Sequence, residues 1–128
     1  MCISLLRKEA KVTYLTEFFK LASDETRLRI IILLAQKELA VCEICGILKL
    51  TQPKVSKHLG KLRDMDFVTD TRKEKFIFYA INLKDDTIRE LLYRIVDRLD
   101  AYPQLKEDSI RLKDKDAYLS RCKSILKD

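Results

Sequence analysis

The sequence predicts a mostly α-helical chain with one small β-hairpin. Three observations carry that prediction. Two glycines and two prolines in 128 residues leave few helix breakers and call for short connections. Apolar residues recur at helical spacing along most of the chain, and β-type composition is confined to residues 67–81.

The elements follow in order. Val12, Leu15, Phe18, Phe19 and Ala22 repeat at helical spacing and set a first helix over about residues 5–21. Ser23-Asp24 is an N-cap signal, and Leu28, Ile31, Ile32, Leu34 and Ala35 make the second helix strongly apolar. Residues 41–48 form a short helix with Val41, Ile44 and Leu48 on its buried stripe. Lys49-Leu50 makes a tight turn. Thr51 then caps a helix over 51–63 whose first turn holds Pro53, where a missing N–H costs nothing. Phe67-Val68-Thr69 and Phe76–Ile81 flank a charged tip, Arg72-Lys73-Glu74-Lys75, and read as a hairpin. Two helices joined by a tight turn and followed by a basic hairpin make a winged helix-turn-helix.

Asp85-Asp86 suits a helix N-terminus, and Ile88, Leu91, Leu92, Ile95, Val96 and Leu99 give the helix over 86–101 a broad apolar face. Few other helices can cover that face, so it is expected to seal a homodimer, helped by Leu15 and Phe18 of the first helix. Residues 104–127 read as one further, highly charged helix. The expected organisation is a dimeric DNA-binding domain over 1–103, with 104–128 as a helical extension of the same domain.

The charge is unevenly spread. Of a formal +6, residues 49–75 hold eight basic side chains against four acidic ones, and the other 101 residues hold 18 against 16. In helix 51–63, Val55, Leu59 and Leu62 face inward, Lys54, Lys57 and Lys61 lie opposite, and Ser56 and His58 flank them. Such a helix, opened by Thr51-Gln52, suits a major groove: glutamine can read adenine while lysines neutralise phosphate. Arg72, Lys73 and Lys75 place the wing along the backbone. Double-stranded operator DNA is the expected partner.

Cys42 and Cys45 stand three residues apart just ahead of this reading helix. At about 100° per residue Cys45 falls on the edge of the buried stripe and Cys42 points away from it. A thiol pair here lets a soft ion or an oxidant act on a DNA-reading element, although a C-x-x-C spacing alone is shared by redox sites and zinc sites. Four cysteines without framework spacing, in a chain rich in Lys and Glu, predict reduced thiols in the cytoplasm. No signal peptide or membrane span is expected, no apolar run being longer than the six residues of Ile30 to Ala35. Enzyme chemistry is not expected: there is no Ser/His/Asp set and no glycine-rich phosphate loop, and the only base for Cys42 is His58, which belongs to the DNA helix.

Three segments in this order, Leu21–Ile30, Glu38–Cys45 and Thr51-Gln52-Pro53-Lys54-Val55-Ser56-Lys57-His58-Leu59, resemble the ArsR-type (ArsR/SmtB) metalloregulators, in particular their arsenic-sensing branch. The resemblance covers about residues 15–100. It implies dimeric winged-helix repressors that leave DNA when a metal or metalloid binds. It also implies that Gln52, Ser56, His58 and the neighbouring lysines contact the operator, and that Cys42 and Cys45 belong to the inducer site. Ala40 departs from the family, standing where a first cysteine is often found, and Glu74 stands at the wing tip where glycine is common. Trivalent arsenic prefers three thiolates, so the third comes from Cys122, Cys2, a small thiol or nothing. Residues 85–102 contain no histidine, which points away from nitrogen-rich zinc, nickel or cobalt sites and toward soft ions.

The resulting expectation is a repressor induced by As(III) or Sb(III), with no permanent cofactor. The alternatives are the same body sensing Cd, Pb or thiol oxidation, and a constitutive DNA-binding module whose cysteines are structural.

Overall fold

The computed structural model describes residues 2–127, with side-chain environments over 12–122. The order of elements is α1 (Cys2–Ala22), α2 (Glu25–Gln36), β1 (Leu39–Ala40), α3 (Val41–Leu48), α4 (Gln52–Asp64), β2 (Val68–Lys73), β3 (Phe76–Ile81), α5 (Asp86–Val96), a 3-10 turn (Leu99–Ala101), α6 (Pro103–Leu112) and α7 (Lys115–Lys127).

The core is built around α2. Ile30, Ile31, Ile32, Leu33 and Leu34 are all buried, so this helix is dry on every side and must be covered on every side. α1, α4, α5, α6 and β3 supply the cover. Asp24 starts α2 by accepting the Arg27 N–H at 2.9 Å, as the Ser23-Asp24 signal predicts. Edge-to-face contacts of Phe67 with Tyr14 (5.2 Å) and Phe18 (5.5 Å) fasten α1 over the end of α4.

The sheet is antiparallel with strand order β1-β3-β2. β1 has only two residues, pairing Leu39 with Tyr79 and Ala40 with Phe78, and neither its length nor its composition marks it in the sequence. Glu74 turns the hairpin at φ 58°, in the left-handed region that glycine adopts freely. The charged tip is shorter than expected, because Arg72 and Lys73 lie within β2 and pair with Ile77 and Phe76.

Two expectations are corrected. The helix over 86–101 ends at Val96, and Leu99 lies in the 3-10 turn beyond it. The 104–127 helix is two helices, broken at Lys113-Asp114. The dimer face is corrected with them. Phe18, Ile88 and Leu92 are at most 2% exposed because α1 and α5 pack these side chains into the protomer's own core. Leu15, Ile95 and Leu99 are half-buried, and Leu91 is 42% exposed.

α6 is clasped to the rest of the fold. Arg29 of α2 grips Asp108 of α6 through two parallel bonds, Nε to Oδ2 at 2.8 Å and Nη2 to Oδ1 at 2.9 Å. Gln104 donates to the same carboxylate at 3.1 Å, Ser109 donates to Gln36 at 2.8 Å, and Arg111 donates to the Ile47 carbonyl at 3.1 Å. Beyond this clasp α7 packs on α3.

Candidate thiol site and nucleic-acid interface

α3 and α4 are the two helices of the reading unit. Lys49 ends α3 in the left-handed region at φ 58°, and the Leu50 N–H closes the turn on the Cys45 carbonyl at 3.2 Å. Thr51 precedes α4 as its cap by backbone position, its carbonyl accepting the Val55 N–H at 3.1 Å, but its hydroxyl makes no capping bond. Val55, Leu59 and Leu62 are fully buried, which turns the opposite face outward. Thr51, Gln52, Lys54, Lys57 and Lys61 are exposed on that face, as are Arg72, Lys73 and Lys75 of the wing.

Two of these side chains, and the half-buried His58 beside them, are engaged with neighbours. Gln52 donates to the Ser56 hydroxyl at 3.0 Å, so the pair is held one turn apart at the mouth of α4. Lys73 pairs with Glu38 and sits 5.1 Å over the Phe78 ring, an exposed arrangement of little net stability. His58 is half-buried and turned back toward α2, where its Nδ1 lies 3.3 Å from the Arg27 guanidinium. A guanidinium can only donate, so Nδ1 accepts and the neutral ring carries its proton on Nε2. Burial, opposed by the Asp24 charge and reinforced by Arg27, lowers the His58 pKa below the ordinary histidine value. His58 thus braces α4 against α2 at its Nδ1 edge.

The cysteines are arranged differently from the sequence expectation. Cys42 is joined not to its neighbour on α3 but to Cys122 of α7, with Cα atoms 6.4 Å apart across 80 residues of chain. The wheel that turns Cys42 away from the core stripe thereby turns it onto α7. Cys45, one turn further along α3, is a half-buried free thiol whose pKa is pushed up by burial. The side chain of Cys2 lies outside the described residues. Among the described residues no three His, Cys, Asp or Glu side chains stand grouped at metal-ligand spacing.

Two features around the thiols escape a periodicity reading. Glu43, between the cysteines in sequence, is 1% exposed. Its Oε1 accepts the Ala40 N–H at 2.8 Å and starts α3, while Oε2 has no hydrogen bond and faces Lys115 of α7 at 3.8 Å. Burial pushes the Glu43 pKa up against the pull of the Ala40 N–H and Lys115. Gly46 is the second feature: a Cβ there would lie 2.4 Å from the Tyr118 ring, so only glycine lets α7 lie so close to α3. A glycine inside a short helix is a sequence signal for such an approach.

A cleft of about 290 Å³ joins the two halves of the site. Apolar Val41, Phe76 and Ile77 line it together with Cys42, Cys122, Gln52 and Lys75. The Cys42–Cys122 pair and the exposed Gln52 therefore share one small space.

Comparison with known proteins agrees with this geometry. A family model described as a bacterial regulatory protein of the arsR family matches residues 24–70. The chain is 35% identical over 96 residues to the arsenic resistance transcriptional regulator ArsR1 of Pseudomonas putida, covering 73% of both chains. It is 37% identical over 76 residues to the cadmium resistance transcriptional regulatory protein CadC of Listeria innocua, covering 58% of this chain and 64% of that one. The solved structure of reduced HlyU from Vibrio cholerae is similar with a TM-score of 0.62 and 29% identity, over 70% of this chain and 95% of that one. These relatives are regulators rather than enzymes, and no described helix is long and apolar enough to cross a membrane. The reading unit, its wing and these likenesses together place the chain in the arsR family of winged-helix transcriptional repressors.

Proposed function

We propose that this repressor works in the cytoplasm and leaves its operator when trivalent arsenic or antimony binds its thiols, Cys42 and Cys45 among them. One observation carries the reading: Cys42 opens on the same cleft as Gln52. A group bonded at Cys42 presses on the start of α3, which packs on α4, and so shifts Gln52 and Lys57 relative to bases and phosphates.

The donor set fits a trivalent arsenical, which supplies up to three bonds to sulfur and carries no charge as arsenous acid. Each thiol that bonds it hands its proton to a departing hydroxide as water, so a thiol of raised pKa loses little as a ligand. Cadmium and lead instead require the thiolate, and a buried thiol such as Cys45 resists giving it. Titration of the reduced protein on operator DNA tests this choice. Arsenite should release the DNA with little dependence on pH between about 6 and 8, whereas release by cadmium should weaken as pH falls through that range. Release by cadmium but not by arsenite would overturn the reading.

The second reading is release by thiol oxidation, and the Cys42–Cys122 disulfide favours it. Release by a mild oxidant alone, with arsenite inert, would establish it instead.

The operator contacts assigned to Thr51, Gln52, Lys54, Ser56, Lys57, His58, Lys61, Arg72, Lys73 and Lys75 belong to the same proposal, His58 reaching DNA only through its Nε2 edge. So does the homodimer. With Phe18, Ile88 and Leu92 committed to the protomer core, its seam falls to Leu91, Leu15, Ile95 and Leu99, beside Val12 (62% exposed) and Phe19 (51%). A dimer presenting both reading faces should make roughly eight phosphate contacts, so log affinity should fall with log salt at a slope of about −7. Sedimentation of a monomer, or a slope near zero, would refute it.

A further inference from the structure

We propose that Arg27 is a positioning residue of the DNA-reading surface: it holds the His58 imidazole by one edge, so that α4 offers the operator a fixed N–H donor from the other. This rests on the operator contact assigned to His58 above and adds the residue on which that contact depends.

Arg27 stands where the end of α1, the start of α2 and the middle of α4 meet. Its backbone N–H is taken by Asp24 at 2.9 Å, which fixes the point from which the side chain leaves. The guanidinium then spans the other two helices. Nε donates to the Leu21 carbonyl at 2.8 Å, one of those that the last turn of α1 leaves without a helical partner, and Nη1 meets His58 Nδ1 at 3.3 Å. A guanidinium is planar and rigid, so a bond at Nε limits where Nη1 can lie. The half-buried ring of His58 is thereby anchored to the end of α1.

The two edges of the ring give that anchor its use. Phosphate oxygens only accept hydrogen bonds, and so do purine N7 and guanine O6 in the major groove. A histidine on α4 bonds to these only with a proton on the edge that faces DNA. Arg27 has no lone pair to offer, so a proton on Nδ1 would set donor against donor, and the neutral ring keeps its proton on Nε2. The surroundings favour that neutral ring: burial leads, Arg27, Lys61 and Lys54 add to it, and Asp24 opposes them. An uncharged donor contributes direction, while the exposed lysines of α4 supply general attraction to the backbone.

His58 is the only histidine in the chain, so nuclear magnetic resonance of protein labelled with isotopic nitrogen at histidine reads its imidazole alone. In the wild-type protein the ring should be one neutral tautomer with its proton on Nε2, titrating below the ordinary histidine value. Arg27→Met keeps the stem and removes the donors, and should raise that value and free the ring to exchange between tautomers. Operator affinity is the second readout. His58→Ala should weaken it about tenfold per half-site, as for one hydrogen bond to a charged acceptor. Arg27→Met should weaken it severalfold on its own and change nothing further once His58 is alanine. Arg27→Lys should not restore it, since a flexible ammonium does not hold two acceptors in one geometry. A wild-type ring protonated on Nδ1 overturns the inference, whether or not the variants fold. So does an equal loss from Arg27→Met with and without His58, which would make Arg27 a DNA contact or a structural residue in its own right, and so does full rescue by lysine. Undiminished operator binding by His58→Ala, with the wild-type ring still held on Arg27, overturns the His58 contact itself and leaves the rest of the reading face standing.

Discussion

The Cys42→Ser protein should hold its operator at arsenite concentrations that empty the wild-type complex. Cys42 is the one thiol that both meets Cys122 and lines the cleft with Gln52, so its loss removes a sulfur bond and the route to the reading helix together. The substitution is small, and the side chain is not one of the buried groups that hold α3 to the core. An inducer acts only through its different affinity for the free and DNA-bound forms. A thousandfold loss of DNA affinity corresponds to about 4 kcal/mol of such coupling, and that coupling should vanish in the variant while operator affinity in the absence of arsenite stays within about twofold. Fluorescence anisotropy of labelled operator, read with and without arsenite, makes both measurements. Arsenite release of DNA from the serine variant at wild-type concentrations would place the inducer site elsewhere.

Asp108→Ala should be the most destabilising single change in the C-terminal extension. It leaves the Arg29 guanidinium without the carboxylate that accepts two of its N–H groups, and strands the Gln104 amide as well. Truncating one partner of a buried ion pair costs about 3–5 kcal/mol. Arg29 retains some access to water, its side chain being 16% exposed, which places the expected loss near the lower end, about 3 kcal/mol. Urea unfolding of the two proteins under reducing conditions measures it, and a loss below about 1 kcal/mol would show that α6 is an appendage rather than a part of the core.

Local pattern carried the reading unit, and distant contact carried what pattern missed. Val41, Ile44 and Leu48 gave α3 its observed bounds because all three report to one buried face over a single short helix. Val55, Leu59 and Leu62 placed α4 to within one residue at each end. β1 was invisible because two residues have no periodicity, and Leu39 and Ala40 become a strand only by pairing with Tyr79 and Phe78. Ile88 and Leu92 were assigned to a partner subunit because an apolar stripe states that it must be covered without stating by what. Lys113-Asp114 ends α6 with no glycine or proline to mark the break. Cys122 carried no local signal at all, since its relation to Cys42 depends on how α6 and α7 return across the molecule.

That return sets an order of assembly on the ribosome. Cys42 and Cys122 are 80 residues apart in the chain, and the reading helix and wing lie wholly between them. At about 5–20 residues per second, α7 is synthesised some seconds after the wing. Each nascent chain therefore completes α4 and the wing before it completes the helix that brings Cys122 to Cys42. Until then Cys42 has no Cys122 to meet, and its chemistry is that of an unpaired thiol on α3.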